Sequence, residues 1–343
     1  MVRVSSTAVE RPRFPVVDVH NHLGRWLSGD WMIGDIERLL RMMDRFEVEM
    51  VVNLDGRWGS ELEENLARYD RAHPGRFVTF CHVDWSLLAD DDSSTTLVGQ
   101  LEAGVAAGAR GLKVWKDLGL RIRGGDGRLI RPDDERVVDV IKAAGRLGVP
   151  ALIHTADPRA FFEPLDRHNE RIEELIAHPD WWFGGPETPQ FDDLLGQFER
   201  LVAACPETTI IGAHVGNCAE DLEFVAGMLD RYDNYHVDLG ARMGELGRQP
   251  RRARRFMIEH ADRILFGTDD FPLADDHLRL WYRFLESDDE CFDYAPDREV
   301  PPQGRWQISA LELPDDVLRR IYYGNAHRVL GLAHSPNRPA TGP

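Results

Sequence analysis

The chain has no long apolar run: nothing in its 343 residues approaches the length of about 18 that a membrane-spanning helix needs. Its opening, MVRVSSTAVERPRF, lacks the apolar core of a signal peptide. Cysteine is scarce, and Cys81, Cys205, Cys218 and Cys291 show no CxxC spacing, which excludes a disulfide framework. Positive charge is also short. The 41 Lys and Arg face 59 Asp and Glu, a net charge of −18 with no basic tail. Phosphate backbones are bound by clustered Lys and Arg, so nucleic acid is not an expected partner, nor is a membrane. A cytoplasmic protein acting on a small molecule is the expectation.

What is present is an ordinary globular balance, 43% apolar and 29% charged, in a chain long enough to bury a full core without staples. Eight β-rich runs begin near Val16, Val48, Arg76, Ala109, Pro150, Thr209, Tyr235 and Arg263. Amphipathic helical patterns lie between them: IGDIERLLRMMDRF, ELEENLARYDRAH, DDERVVDVIKAAGRLG, FDDLLGQFERLVAAC and EDLEFVAGMLDRY. A last helix, LPDDVLRRIYYGNAHRVLGL, has a capped start at Pro314-Asp315-Asp316 and a stripe of Leu318, Ile321, Tyr322 and Val329. Eight βα units predict an α/β fold, a single (β/α)8 TIM barrel over residues 16–332 with its site at the C-terminal strand ends. An open doubly wound sheet would carry a Gly-rich turn after strand one, and His20-Asn21-His22-Leu23-Gly24 stands there instead. Residues 1–15 read as an N-terminal extension, 159–189 as an insertion after strand five that is a lid or a Trp-rich peripheral helix, and 333–343 as a flexible tail.

Strand alternation sorts inside from outside. If Val17 and Val19 face the helices, Asp18, His20 and His22 face inward. By the same reasoning Lys113 and Trp115 oppose Leu112 and Val114, His154 opposes Ile153, and His214 opposes Ala213. Asp238 opposes Val237 and Leu239, and Asp269 opposes Phe266 and Thr268. Burying so many ionisable groups is costly unless they pair or share a metal. His20 and His22, at i and i+2, present two imidazoles to one cation, and His154 and Asp269 complete a set suited to Zn, Mn or Fe. The alternatives are a hydrogen-bonded core histidine at His154, a cap at Asp269, Asp270 as the ligand in its place, and Lys113 paired structurally with Asp55. Arg57, Lys116, Arg121, Arg123 and Arg242 are candidate anchors for a substrate carboxylate, or solvated loop charges. Trp115, Phe161, Trp181 and Trp182 either line an aromatic pocket or pack. The acidic runs 89–92 and 286–290 read as solvated surface.

The order HxH on strand one, Lys on four, His on five and six and Asp on eight resembles the amidohydrolase superfamily. VVDVHNH, GAHVGN, FGTDDFP and IYYGNAHRVLGL are similar to its amidohydrolase-related branch, which includes aminocarboxymuconate-semialdehyde decarboxylase-like enzymes. The resemblance runs from about Val16 to Leu332. It implies that His20, His22, His154 and Asp269 hold one divalent ion, zinc first, with manganese or iron as alternatives. His214 then acts on substrate or water without ligating. In binuclear members the strand-four lysine is carboxylated and bridges two ions, so Lys113 leaves a second ion open. The leading expectation is hydrolysis of a C–N or C–O bond, with Asp269 taking the proton of an activated water, His214 stabilising the oxyanion or protonating the leaving group, and Asp238 orienting a histidine or pairing with Lys113 or Arg242. The alternative is non-oxidative decarboxylation of a small carboxylic acid, aromatic or not, by the same ligands. A TatD-like nuclease fits less well, because Lys113 stands where that type carries Glu, and a barrel without chemistry would be expected to have lost a ligand. Barrels of this branch often pair, which makes a homodimer an expectation of the resemblance.

Overall fold

The computed structural model describes residues 6–90, 93–270 and 273–332. The expected tail, Asp91, Asp92 and the Phe271-Pro272 end of FGTDDFP lie outside the described residues.

Eight parallel strands form where the β-rich runs predict them: β1 Val16–Asn21, β2 Val48–Asn53, β3 Phe77–Thr79, β4 Leu112–Val114, β5 Ala151–Ile153, β6 Ile210–Gly212, β7 Tyr235–Asp238 and β8 Ile264–Leu265. They pair in sequence order as β1-β2-β3 and β4-β5-β6-β7-β8. The two arcs are joined by backbone bonds at both seams. Lys113 N donates to Cys81 O at 2.8 Å between β3 and β4, and Asp269 N donates to His20 O at 2.8 Å between β8 and β1. The result is a closed TIM barrel, in which no strand edge is left unpaired. A short antiparallel pair, β9 Phe292–Asp293 and β10 Gln307–Ile308, follows the barrel.

Two apolar layers hold it. Outward residues such as Val16, Val51, Leu112, Val114, Ile153, Ile210 and Val237 pack against the helices. Inside, Val17, Val19, Met50, Val52, Val78, Phe80, Leu152, Ile211 and Leu265 make a separate cluster. Ala326 and Leu330, at the end of the chain's last helical segment, belong to that inner cluster and plug it from below. Asn325 Nδ2 fixes this plug by donating to Ala261 O and Ile264 O, both at 2.7 Å.

The inner cluster corrects the inside–outside assignment of strand one. Val17 and Val19 face the barrel interior, and Asp18 pairs in register with outward Val51. Between Asp18 and Asn21 the register slips relative to β2, a bulge that adds one residue and reverses the phase. His20 and His22 therefore reach the mouth of the barrel although Val19 is also inside. Asp18 instead closes the β1–β8 wall, accepting from Thr268 N at 3.0 Å, Thr268 Oγ1 at 2.7 Å and Asn21 Nδ2 at 2.7 Å. Strand six needs a similar correction. Ala213 belongs to the inner cluster, so His214 is not brought inward by alternation. It is turned in by left-handed backbone, with φ 58° at His214, 56° at Val215 and 62° at Asn217. Gly267 shows how tightly β8 meets β1: a Cβ there would stand 2.9 Å from His20 Cβ.

Five of the six anticipated helical patterns form single helices or helix-plus-turn units, Ile36–Arg45, Gly59–Leu66, Glu135–Arg146, Phe191–Ala204 and Leu222–Arg231. The last pattern is divided into Asp315–Arg319, Arg320–Gly324 and Asn325–Val329. Helices Ser93–Ala107, Pro250–Glu259 and Asp275–Glu286 were not legible as amphipathic patterns. The first is rich in Ser, Thr and Gly, the second is interrupted by four arginines, and the third is buried on most of its circumference. The segment after β5 folds as short helices Arg159–Phe162, Ile172–Ala177 and Pro179–Trp181. The extension before β1 is anchored by Thr7 and Arg13, which donate to Asp289 and Glu286. No helix among the described residues is long and apolar enough to cross a membrane.

Truncating the inner layer tests this arrangement. Leu152→Ala, at a fully buried site, is expected to lose about 2–5 kcal/mol of unfolding free energy. Leu27→Ala, at a 41% exposed site, should stay within about 0.5 kcal/mol, both measured by urea titration.

Candidate active site

The ionisable groups gather where parallel strands end. His20 lies at the end of β1 and His22 just beyond it, and their Nε2 atoms stand 3.5 and 3.4 Å from the same oxygen, Asp269 Oδ1. The opposite ring nitrogens are tied down: His20 Nδ1 meets Asp238 Oδ2 at 2.9 Å, and His22 Nδ1 meets Asp55 Oδ1 at 2.7 Å. A neutral imidazole that donates its Nδ1 proton to a carboxylate presents a bare Nε2 on the other side. With both rings neutral, two such nitrogens converge on one carboxylate oxygen. Donor atoms of His20, His22 and Asp269 all lie within 4.8 Å of one another, as do those of His20, His214 and Asp238.

His214 leans on His20, with ring centroids 4.8 Å apart, and His154 meets His214 edge-on at 4.4 Å. His154 stays outside both close donor groups among the described residues. Its buried Nε2 has no hydrogen-bond partner, although Asp157 Oδ1 is 3.4 Å away. Lys113 is fully buried, with Nζ 3.5 Å from His20 Nε2. It is not paired with Asp55, whose carboxylate is taken by His22 and by Gly24 N. Asp270 turns the other way and accepts from His277 Nδ1. Asp238 completes its set by accepting His214 N at 3.0 Å and Gly240 N at 2.9 Å, so it binds neither Lys113 nor Arg242 as an ion pair.

Burial and mutual charge set the protonation. Burial alone would lower His22, but Asp55 and Asp269 outweigh it and push the pKa up to about 9. Burial lowers His20, takes His154 down to about 4 and holds His214 well below its usual range. Burial works to raise Asp269, but His20, His22 and Lys113 overcome it and keep the carboxylate well below the ordinary value. Burial also brings Lys113 down to about 8 despite Asp238, Asp269 and Asp55.

Aromatic rings wall one side. Trp115 lies 5.0 Å from His22 and 6.2 Å from His154, and Trp26 packs edge-on to Trp115 at 4.8 Å. Arg57, after β2, lies over Trp26. The other anticipated anchors are engaged elsewhere. Lys116 donates to Asp157, Arg121 and Arg123 donate to Asp180 O and Gly127 O, and Arg242 caps its own loop at Ala241 O. Phe161 is core, Trp181 stacks on His178 at 4.1 Å, and Trp182 donates to Glu163 O. Those three aromatics therefore pack within the segment after β5. Asp157 and Trp26 were missed from sequence because both sit on loops, where no periodicity marks them. Asp55 carries the one usable signal, an acid just past a strand end, but in the sequence it reads only as a partner for Lys113.

Lys113 gives a test of these electrostatics. With its pKa lowered from 10.5 to about 8, the folded protein binds fewer protons than the unfolded chain between those values, so this group's contribution to stability rises with pH across that window. In chelator-treated protein, the urea midpoint of the wild type should climb relative to that of Lys113→Met between pH 8 and 10.5, and run parallel to it below pH 8.

A comparison with curated protein sequences finds no match. Among solved structures, 2,6-dihydroxybenzoate decarboxylase from Rhizobium is similar at 18% identity and TM-score 0.58, over 93% of this chain and 99% of that one. Dihydroxybenzoic acid decarboxylase from Polaromonas, solved with manganese and 2-nitroresorcinol, is similar at 15% identity and TM-score 0.57, over 93% and 97%. 5-Carboxyvanillate decarboxylase from Novosphingobium aromaticivorans, solved with manganese and a nitrobenzoic acid, is similar at 12% identity and TM-score 0.55, again over 93% and 97%. At these identities the likeness speaks for the barrel alone. The sequence model of the amidohydrolase family matches residues 17–332, which spans the whole barrel and every strand-end residue described above, and the chain belongs to that family.

Proposed function

We propose that this protein is a metal-dependent, non-oxidative decarboxylase of a small aromatic acid. The observation that carries the reading is the Trp115 indole lying 5.0 Å from His22, a flat apolar wall directly beside the convergent donors. A planar ring can stack on it while its carboxylate reaches the cluster. Sequence reading placed hydrolysis first. The aromatic wall and the decarboxylases among similar structures favour the order reversed.

The donor set fits a divalent ion. Two imidazoles pinned by carboxylates and facing one carboxylate oxygen make the nitrogen–oxygen site that zinc, manganese and iron accept. His20, His22 and Asp269 would hold it, with His154 as a further ligand. Manganese in the similar decarboxylases makes it as strong a candidate as zinc. One ion is favoured over two, because Asp238 in the second donor group is already committed to His20, His214 and Gly240. Such an ion supplies positive charge that offsets the anionic oxygens of the substrate.

The protein's own groups handle the proton. His214 donates Nδ1 to Gly240 O at 2.8 Å, which leaves Nε2 as an acceptor, and Asp269 is ionised. Both are bases in the resting site, suited to taking a proton from a substrate hydroxyl. That proton returns to the ring carbon bearing the carboxylate. The C–C bond then breaks, carbon dioxide leaves, and its bonding pair returns to the ring, restoring the aromatic π system spent in forming the C–H bond. One solvent proton per turnover restores the balance. Lys113 beside His20 adds a buried cation on the same side.

The reaction is tested by giving manganese-loaded protein a panel of hydroxybenzoates in D2O. The expected result is carbon dioxide and a product with one deuterium at the vacated carbon. Release of acid from lactones or amides, with no carbon dioxide from any aromatic acid, would install hydrolysis instead. His20→Ala is expected to lose bound metal on elemental analysis. His214→Asn should keep its metal and lose about 10²–10⁴ in kcat.

A further inference from the structure

Arg57 stands out among the cations of the barrel mouth. Its guanidinium lies between two indoles, 4.7 Å from Trp26 and 4.1 Å from Trp58. Its Nε is buried without a hydrogen-bond partner. Asp55, Glu61, Asp84 and Asp117 surround it electrostatically, yet no carboxylate pairs with it among the described residues. The backbone is left-handed at φ 59°, an uncommon state for a side chain larger than glycine. It is locked there by His82 N donating to Arg57 O at 2.9 Å. A strained backbone that holds a guanidinium without a carboxylate partner in an aromatic clamp is a construction with a cost, and the two cation–π contacts leave its buried Nε donor unused.

The rings leading from Arg57 give it a direction. Trp26 is in contact with Trp115, and Trp115 with His22. A planar molecule with one carboxylate at the His20, His22 and Asp269 cluster would lie along Trp115 with its far edge toward Trp26 and Arg57. We infer that Arg57, clamped by Trp26 and Trp58, recognises a second anionic group, so that the preferred substrate is a planar aromatic acid carrying two acidic groups. This rests on the proposed decarboxylation, and it makes Arg57 a specificity-determining residue. A guanidinium offers a planar fork of donors to a carboxylate, which an ammonium does not reproduce.

Calorimetric titration of the full manganese-loaded chain with benzoate, isophthalate and terephthalate tests it by binding alone. The wild type is expected to bind at least one dicarboxylate about 10- to 100-fold more tightly than benzoate, the worth of a hydrogen bond to a charged group. Arg57→Gln should collapse that ratio to near one, and Arg57→Lys should restore only part of it, with circular dichroism confirming that both variants fold. Equal binding of all three acids by the wild type, binding of none, or a preference that survives in Arg57→Gln would overturn the inference. A protein that prefers the diacid but releases carbon dioxide from no aromatic acid would remove the decarboxylation and leave Arg57 its role. One that decarboxylates monoacids and ignores a second carboxylate would do the reverse.

Discussion

The carboxylate of Asp238 accepts from His20 Nδ1 with one oxygen and from His214 N and Gly240 N with the other. One fully buried charge thereby joins the ends of β1, β6 and β7 and fixes the tautomer of His20. A carboxylate in that position is tolerable only because three donors surround it and a lysine lies near. Without it His20 could turn, His214 would lose the anchor of its left-handed backbone, and the donors at Asp269 would separate.

The barrel divides its labour along its axis. Below, Val17, Leu152, Ile211, Leu265 and the Ala326–Leu330 plug form a dry interior that resists deformation. Above it the same strands end in His22, Asp55, Lys113, His154 and Asp269, groups whose burial is costly and whose mutual distances are therefore held by the rigid layer beneath. Left-handed residues cluster at this upper rim, at Arg57, His214, Val215, Ala241 and Asp269. Strain there is borne by the packing below, and the close approach of Gly267 to His20 shows how little slack remains.

The charge pattern has a similar logic. A chain with net charge −18 keeps Lys113 buried at the mouth and Arg57 unpaired on its rim. Two cations in that setting, next to the faces of Trp115 and Trp26, favour an anionic planar guest over a neutral one.

The residue types and their spacing in the sequence determined the eight strand positions, the barrel class and the set of histidines and acids at strand ends, because apolar runs of period two and polar residues just past them are local properties of the chain. Lys113, Trp115, His154 and Asp238 sit where counting alone places them, on the side opposite the outward residues of their strands. Tertiary structure decided the rest. The bulge between Asp18 and Asn21 reversed the phase of strand one, and the left-handed turn at His214 replaced alternation on strand six, since both depend on how neighbouring strands meet. Asp55 found His22 across 33 positions and Trp26 found Trp115 across a longer stretch of chain, contacts made by the closure of the barrel and not by any nearby residue. Which of the five candidate cations found a hydrogen-bond acceptor was settled the same way, because a cation on a loop bonds to whatever acceptor the fold brings beside it.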